Sequence, residues 1–325
     1  MSFEHIILVY VVPIIVWISV ISVTLRLLVK KQAVSATLSW LMIIYLVPVI
    51  GVIAYLVFGE IKLGTKRANA FKTLHPKYSE WLTHLSQQSS LVSVPKNLQY
   101  RPLFDLNYQR LGIPCIKGNE LHILDKPESI IHSIIKDIQQ AQYSINMVFY
   151  IWSNKGMVEE VSQALSDAKQ RGVEIRILLD SVGSRPFLKS KVCRDLRKQG
   201  IEIVETLYVN LFRMFFSRID LRQHRKIIVI DNQISYTGSM NMVDPAFFKQ
   251  DSKVGNWVDI MVRVNGAASA VLNSLHAWDW EIETGVELPL FYPIVRLYPL
   301  MIMTRTPFKL SPQDLHFRMI WHHKL

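Results

Sequence analysis

Near its start the chain holds two long stretches without charge. Ile6 to Leu25 ("IILVYVVPIIVWISVISVTL") contains no charged residue, and neither does Gln32 to Gly59. A helix rises 1.5 Å per residue, so about 20 apolar residues cross the hydrocarbon core of a bilayer. Both stretches meet that length, and residues 1–60 are expected to form a two-helix transmembrane hairpin. Trp17, Trp40, Tyr45 and Tyr55 supply aromatic anchors, and Pro13 and Pro48 are residues that spanning helices tolerate. A cleaved signal peptide is the poorer reading. Only Glu4 and His5 precede the first stretch as ionisable side chains, and no basic n-region is present. Arg26, Lys30 and Lys31 lie between the two stretches, and Lys62, Lys66, Arg67 and Lys72 follow the second. With both flanks basic, the positive-inside count barely separates the two orientations and leans toward a cytoplasmic main domain.

The pattern then changes period. Residues 61–120 are polar and basic and read as a juxtamembrane helix and linker. From about Leu121 apolar positions recur at helical and strand spacing in turn. "PESIIHSIIKDIQQAQ" sets Ile130, Ile131, Ile134, Ile135 and Ile138 on a helix face, and "SINMVFYIW" follows as a strand. "GMVEEVSQALSDAKQRG" is an amphipathic helix, "VEIRILLDSVGS" a strand running into a turn, "LKSKVCRDLRKQG" a basic helix and "IEIVE" a further strand. Strands separated by helices of this length predict an α/β domain over residues 121–287, with a mainly parallel mixed sheet flanked by helices. In such sheets the site lies beyond the carboxyl ends of the strands. Residues 288–325 are expected to form an atypical tail. They break their apolar run at Pro293 and Pro299 and carry one acidic residue, Asp314.

Composition narrows the partners. Half of the 325 residues are hydrophobic and the net charge is +11, with a pI near 9.6. That balance suits anionic partners, either phospholipid surfaces or nucleic acid. Cys115 and Cys193 are the only cysteines. Without a CxxC or a clustered partner they form neither a disulfide framework nor a zinc site.

The chemistry concentrates in "QHRKIIVIDNQISYTGSMN", Gln223 to Asn241. "KIIVID" reads as a buried strand, Asp231-Asn232 as a turn and "ISYTGS" as the returning strand. Residues i and i+2 of a strand share a face, so His224 and Lys226 are expected side by side, with Arg225 turned away. Gly238 is expected to let the backbone approach a ligand. Lys226, Ser239 and Asn241 are the candidate ligands of phosphate oxygens. His224 is the candidate nucleophile, attacking phosphorus to give a phosphohistidine. A carboxylate on the other ring nitrogen would fix its tautomer, and Asp259, opening "DIMVRV", is the candidate. Asp231 completes the catalytic triplet in sequence, with its carboxylate expected to brace the turn. His276, on a helix beside Trp278 and Trp280, is expected to be packed or capping.

"HRKIIVID" with "GSMN" resembles the HKD motif of the phospholipase D superfamily. "LSWLMIIYLVPVIGVIAYLVFGE", "MVFYIW", "DLRQHRK", "YTGSMNMVDPAFFKQD" and "DWEIETG" look more closely like bacterial cardiolipin synthases of the A type. The resemblance runs from the hairpin to about Gly285. It implies a phospholipase D-like half domain in the bacterial inner membrane, anchored as a multi-pass protein. It also implies transfer of a phosphatidyl group between two phosphatidylglycerol molecules, giving cardiolipin and glycerol. Because one phosphodiester is exchanged for another, neither a metal nor another cofactor is demanded. Phosphatidylglycerol and anionic lipids are the expected partners, and nucleic acid is not.

Relatives of this kind carry two HKD motifs in one chain, the second histidine protonating the leaving alcohol. Of the ten histidines here, His224 alone fits H-x-K-x4-D: His75-Pro-Lys77 reaches Leu82 where the aspartate belongs, and His322-His323-Lys324 runs out at Leu325. The text beyond Glu287 departs from the pattern, which fits a synthase ended early or disrupted in frame. A homodimer would restore two facing histidines. The alternatives are a dimeric single-motif phosphodiesterase or nuclease and an inactive membrane-anchored remnant.

Overall fold

The computed structural model describes residues 7–30, 33–59, 65–92, 99–208, 222–252, 255 and 257–290. The tail from residue 291 lies outside the described residues, as does the basic run 209–221 that precedes the motif.

Helix α1 (Val12–Val29) follows a π-helical turn at Ile7–Val11. Together they include the one helix among the described residues that is long and apolar enough to cross a membrane, Val9–Val29. The second apolar stretch differs from the single spanning helix expected. It forms α2 (Val34–Leu46), breaks at Val47, and continues as α3 (Pro48–Ala54) and a π-helical turn at Tyr55–Gly59. The break has a local cause. Proline has no N–H to continue the ladder and pushes its predecessor out of the helical region. Val47 accordingly sits at φ −135°, ψ 80°. A Cβ on Gly51 would lie 2.7 Å from both the Ile43 carbonyl oxygen and the Ile44 Cα. Only glycine lets α3 fold back this closely on α2. Val20, Val23 and Leu27 of α1 pack with Ile44 and Tyr55 into a small apolar cluster.

The α/β domain is built on seven strands. They are β1 (Asn119–Leu124), β2 (Ser144–Phe149), β3 (Glu174–Asp180), β4 (Glu202–Thr206), β5 (Ile227–Ile230), β6 (Ile234–Gly238) and β7 (Met261–Gly266). They form one sheet in the order β1-β7-β6-β5-β2-β3-β4. The sheet is mixed, yet the parallel part is smaller than expected. Only β2–β3 and β3–β4 are parallel ladders, and the other four are antiparallel. Connection chemistry explains this. The parallel strands are joined by α7 (Met157–Gln170) and by α8 (Arg185–Leu188) with α9 (Lys191–Lys198), whereas β5 and β6 form a hairpin with no crossover helix. Asp231 and Asn232 both take left-handed backbone (φ 51° and 55°), as the mirror-image hairpin turns require.

Helices cover both faces. On one, α6 (Pro127–Gln140), α7 and α9 bury Ile130, Ile134, Val161, Leu165 and Cys193 against Ile145, Met147, Ile177 and Ile228. On the other, Ala277 and Trp280 of α10 (Ala268–Thr284) pack on Val148, Leu178, Ile227 and Val229. All four residues of β5 are therefore buried, which explains the unbroken apolar run "IIVI". Leu288 joins the second cluster, so the domain core reaches past Glu287.

The stretch expected as a juxtamembrane helix and linker holds two helices, α4 (Thr65–Gln87) and α5 (Arg101–Leu111). Trp81, Leu82 and Leu85 of α4 pack with Val271 of α10, and Tyr78 donates to Ser274 at 2.5 Å. It forms a second layer over α10.

Candidate active site

β5 runs antiparallel to β2, so the residues entering β5 meet those leaving β2. β6 ends at the same edge and β7 begins there. The edge therefore gathers the carboxyl ends of β2, β3, β4 and β6 with the entrances to β5 and β7.

His224 and Lys226 share one face at this edge. The His224 ring stacks on Tyr150 with centroids 4.4 Å apart and 29° between planes, and the Lys226 ammonium lies 5.8 Å from the same Tyr150 ring. Lys226 Nζ donates to the His224 carbonyl at 2.7 Å. The alternate residues turn the other way. Gln223 Nε2 donates to Asp279 Oδ2 on α10 at 2.7 Å, and Arg225 pairs with the same carboxylate. Asp279 therefore fixes the back of the strand while imidazole and ammonium project from its front.

Lys226 is buried while His224 is exposed. Partial desolvation of the ring first, then the adjacent Lys226 charge, lower the His224 pKa from the ordinary 6.5, against an opposing pull from Asp180. The imidazole is thereby neutral at physiological pH, the state a nitrogen nucleophile needs. Burial also lowers the Lys226 pKa, opposed by Asp259.

Asp259 and Ser239 meet at the start of β7. Ser239 Oγ donates to Asp259 Oδ1 at 2.6 Å and accepts from the Ile260 amide at 3.0 Å. Asp259 acts on Lys226 and holds Ser239; no contact joins it to His224. Asn241 is placed by its Oδ1, which accepts from the Ile151 amide at 3.1 Å. That leaves its amide nitrogen as the end able to donate to a ligand. Gly238 is needed for a different close approach from the one expected. A Cβ there would lie 2.1 Å from the Ile260 carbonyl oxygen, so the glycine admits the neighbouring strand, not a ligand.

Asp231 is not brought to this constellation. It stands at the other end of β5, roughly 20 Å along the chain from His224. Its Oδ1 accepts from the Tyr143 and Ser144 amides at 2.8 and 2.9 Å, and its Oδ2 from Gln142 at 2.9 Å. These donors enter β2, so the carboxylate ties the hairpin turn to the neighbouring strand.

The acid that bears on the imidazole is one the sequence did not single out. Asp180 ends β3 fully buried. It accepts from the Val182 and Gly183 amides at 2.9 Å each, from the Gln223 amide at 3.1 Å and from Arg222 Nη1 at 3.3 Å. It thus clamps the two residues before His224. Its signal was an apolar strand, "EIRILLD", closing on an acid just before Ser-Val-Gly-Ser. Tyr150 was also missed; it ends "MVFY", where the β2 edge meets the motif. Among the described residues no three His, Cys, Asp or Glu side chains gather as a metal site. His276 is fully buried and stacked on Trp280 at 5.7 Å.

A mixed α/β sheet thus presents an imidazole and an ammonium at one edge, where Ser239 and Asn241 follow the adjoining strand β6. The chain belongs to the phospholipase D superfamily, in its cardiolipin synthase branch. Residues 134–270 match the family described as "Cardiolipin synthase, PLD-like domain", and residues 11–60 match "Phospholipase_D-nuclease N-terminal". The chain is 47% identical over 269 residues to Cardiolipin synthase A of Yersinia pseudotuberculosis serotype O:1b (strain IP 31758), covering 83% of this chain and 55% of that protein. Cardiolipin synthase A of Yersinia pestis matches with the same identity and coverage. The chain therefore spans about half the length of the curated relatives it matches. Nuc from Salmonella typhimurium, a phospholipase D family member of solved structure, matches at 21% identity and a TM-score of 0.36, over 50% of this chain and 95% of that one.

Proposed function

We propose that the chain carries one half of the active site of a phosphatidyltransferase of the cardiolipin synthase type. The reaction is exchange of phosphodiesters: two phosphatidylglycerols give cardiolipin and glycerol. His224 attacks the phosphorus of the first lipid, a glycerol alkoxide leaves with a proton, and a phosphatidyl-histidine forms. A hydroxyl of the second phosphatidylglycerol then attacks phosphorus, losing its proton as the P–N bond breaks. Lys226 and the Asn241 amide hold the non-bridging oxygens and offset the charge that builds on them, and Ser239 joins them when its hydroxyl turns from Asp259 to the phosphate. Asp259 orients this set through Ser239 and Lys226, while Asp231 supports the strand from outside the site.

The observation that carries this reading is the pairing of His224 with Lys226 on one face against Tyr150, which keeps the imidazole neutral beside a cation for phosphate. The leaving alcohol needs an acid, which a second half site provides when the two facing imidazoles share one proton, and a homodimer with two His224 side chains across a twofold axis brings such a pair together. The domain boundaries that fit this function are an apolar anchor over 1–60, a connecting region over 61–120, the phospholipase D-like half domain over 121–287 and a tail beyond. Both apolar stretches lie in the inner membrane of a bacterium, where the anionic lipid substrates are concentrated.

The test is purified chain in phosphatidylglycerol vesicles, read for cardiolipin and glycerol. Both products appear, and the His224→Ala variant gives neither. Cleavage of DNA without lipid turnover would replace this reading with a nuclease, and folded protein with neither activity would replace it with a lipid-binding remnant.

A further inference from the structure

We propose that the second apolar stretch does not cross the bilayer but enters and leaves it on one side, so that the chain crosses once. Three observations carry this. The first is length. Val9–Val29 has 21 residues and spans about 31 Å, enough for the hydrocarbon core. The 13 residues of α2 span only about 20 Å, and α3 with its π turn is shorter still. Neither arm reaches across.

The second is geometry. A continuous helix would place Trp40 and Tyr55 about 22 Å apart along its axis. Their ring centroids are instead 5.6 Å apart in an edge-to-face contact. Gly51 lies against the backbone of Ile43 and Ile44. The chain thus reverses at Val47–Pro48 and runs back along itself. The free N–H and C=O groups at such a reversal are tolerated at membrane depth only when protein buries them. The Val47 and Gly51 amides are satisfied locally, by the Ile43 and Val47 carbonyls. Ile14, Ile18, Ile21 and Leu25 of α1 turn outward, available to lipid tails.

The third is charge, and it comes from the sequence alone. Residues 1–25 contain no lysine or arginine. Arg26 lies in the last turn of α1 with Lys30 and Lys31 just beyond it, and Lys62, Lys66, Arg67 and Lys72 follow the second stretch. Two crossings would put three of these cations on one side and four on the other, against the positive-inside bias. One crossing with a re-entrant hairpin puts all seven on the side of the α/β domain, which the bias assigns to the cytoplasm. The same geometry sets the N-terminus across the membrane from the domain.

The experiment is labelling by a membrane-impermeant maleimide in right-side-out and inside-out membrane vesicles, using the full chain with Cys115→Ser. Cysteines replace Ser2, Lys30 or Lys72 one at a time, the buried Cys193 being kept and the Cys115→Ser chain alone serving as the unlabelled control. The proposal expects Lys30→Cys and Lys72→Cys to label from the same side and Ser2→Cys from the other. Labelling of Lys30→Cys from the side opposite Lys72→Cys, with Ser2→Cys on the Lys72 side, would overturn it. An epitope tag at the N-terminus of the otherwise unaltered chain gives a reading that needs no cysteine variant. Protease should remove the tag from one face and digest the α/β domain from the other. Loss of both from one face would overturn the proposal equally.

Discussion

The two ends of strand β5 carry members of one sequence motif and put them to opposite uses. At the entrance, His224 is exposed and stands against an aromatic ring, its pKa lowered by partial desolvation and by a neighbouring cation. At the exit, Asp231 is saturated by three backbone amides of the adjoining strand. A side chain whose hydrogen-bonding capacity is consumed by backbone holds the fold. A side chain presented at an edge with its charge state adjusted is equipped to react. Spacing in the sequence joins the two residues, and the geometry separates them.

Substitutions sharpen that contrast. The largest effect is expected at His224, where His224→Ala should lower phosphatidyl transfer on the order of 10⁴-fold or more, with the thermal midpoint little changed. Lys226→Ala should lower turnover by about 10²- to 10³-fold through lost stabilisation of the phosphorane, measured as kcat on phosphatidylglycerol vesicles. Lys226→Arg should restore little, since a planar fork does not replace a point charge.

Asp180 belongs to both behaviours. Removing one partner of its buried pair with Arg222, as in Asp180→Ala, should cost about 3 kcal/mol by denaturant unfolding. Asp180→Asn should also move the acid limb of the transfer rate to lower pH. The carboxylate raises the His224 pKa, so neutralising it lets the imidazole stay unprotonated further into acid. In the unmodified protein that limb should already lie below pH 6.5. An unshifted limb in Asp180→Asn would make the residue purely structural.

At the other end of the strand, Asp231→Ala should cost about 2 kcal/mol of stability, from orphaned amides and from a left-handed backbone that alanine resists. Turnover per folded molecule should be unchanged. A large loss of kcat at full folding would return Asp231 to the site.

At neutral pH the smallest effect concerns His276. Burial, then the charge of Arg176, push its pKa down to about 3. The unfolded chain binds a proton below the ordinary value of 6.5 while the folded chain does not. Stability is therefore present above pH 6.5 and lost as pH falls toward 3, by at most about 1.4 kcal/mol per pH unit. His276→Leu should flatten that slope in pH-dependent unfolding.

Periodicity made much of the α/β domain legible. The units from β2 to β4 followed from apolar runs alternating with amphipathic helices, and the β5–β6 hairpin from Asp231-Asn232 between two strand-like runs. β1 escaped notice because four of its six residues are exposed, so no alternation marks it, and its partner β7 lies more than 130 residues away. The mainly parallel sheet was overestimated because ladder direction depends on which strands become neighbours in space, which local pattern does not record. The second apolar stretch looked like one membrane helix because hydropathy sums composition and ignores the break a single proline imposes. At the site, the i, i+2 rule placed His224 and Lys226 on one face. Asp180 and Tyr150 arrive from other strands, and no spacing along the chain could pair them with His224.

The most direct measurement is mass spectrometry of the peptide bearing His224 after an acid quench of chain turning over phosphatidylglycerol of a single acyl composition. A phosphatidyl adduct should appear on that histidine, vanish in His224→Ala, and decay as cardiolipin accumulates. Cardiolipin forming at full rate without an adduct, or an adduct persisting in His224→Ala, would contradict the account.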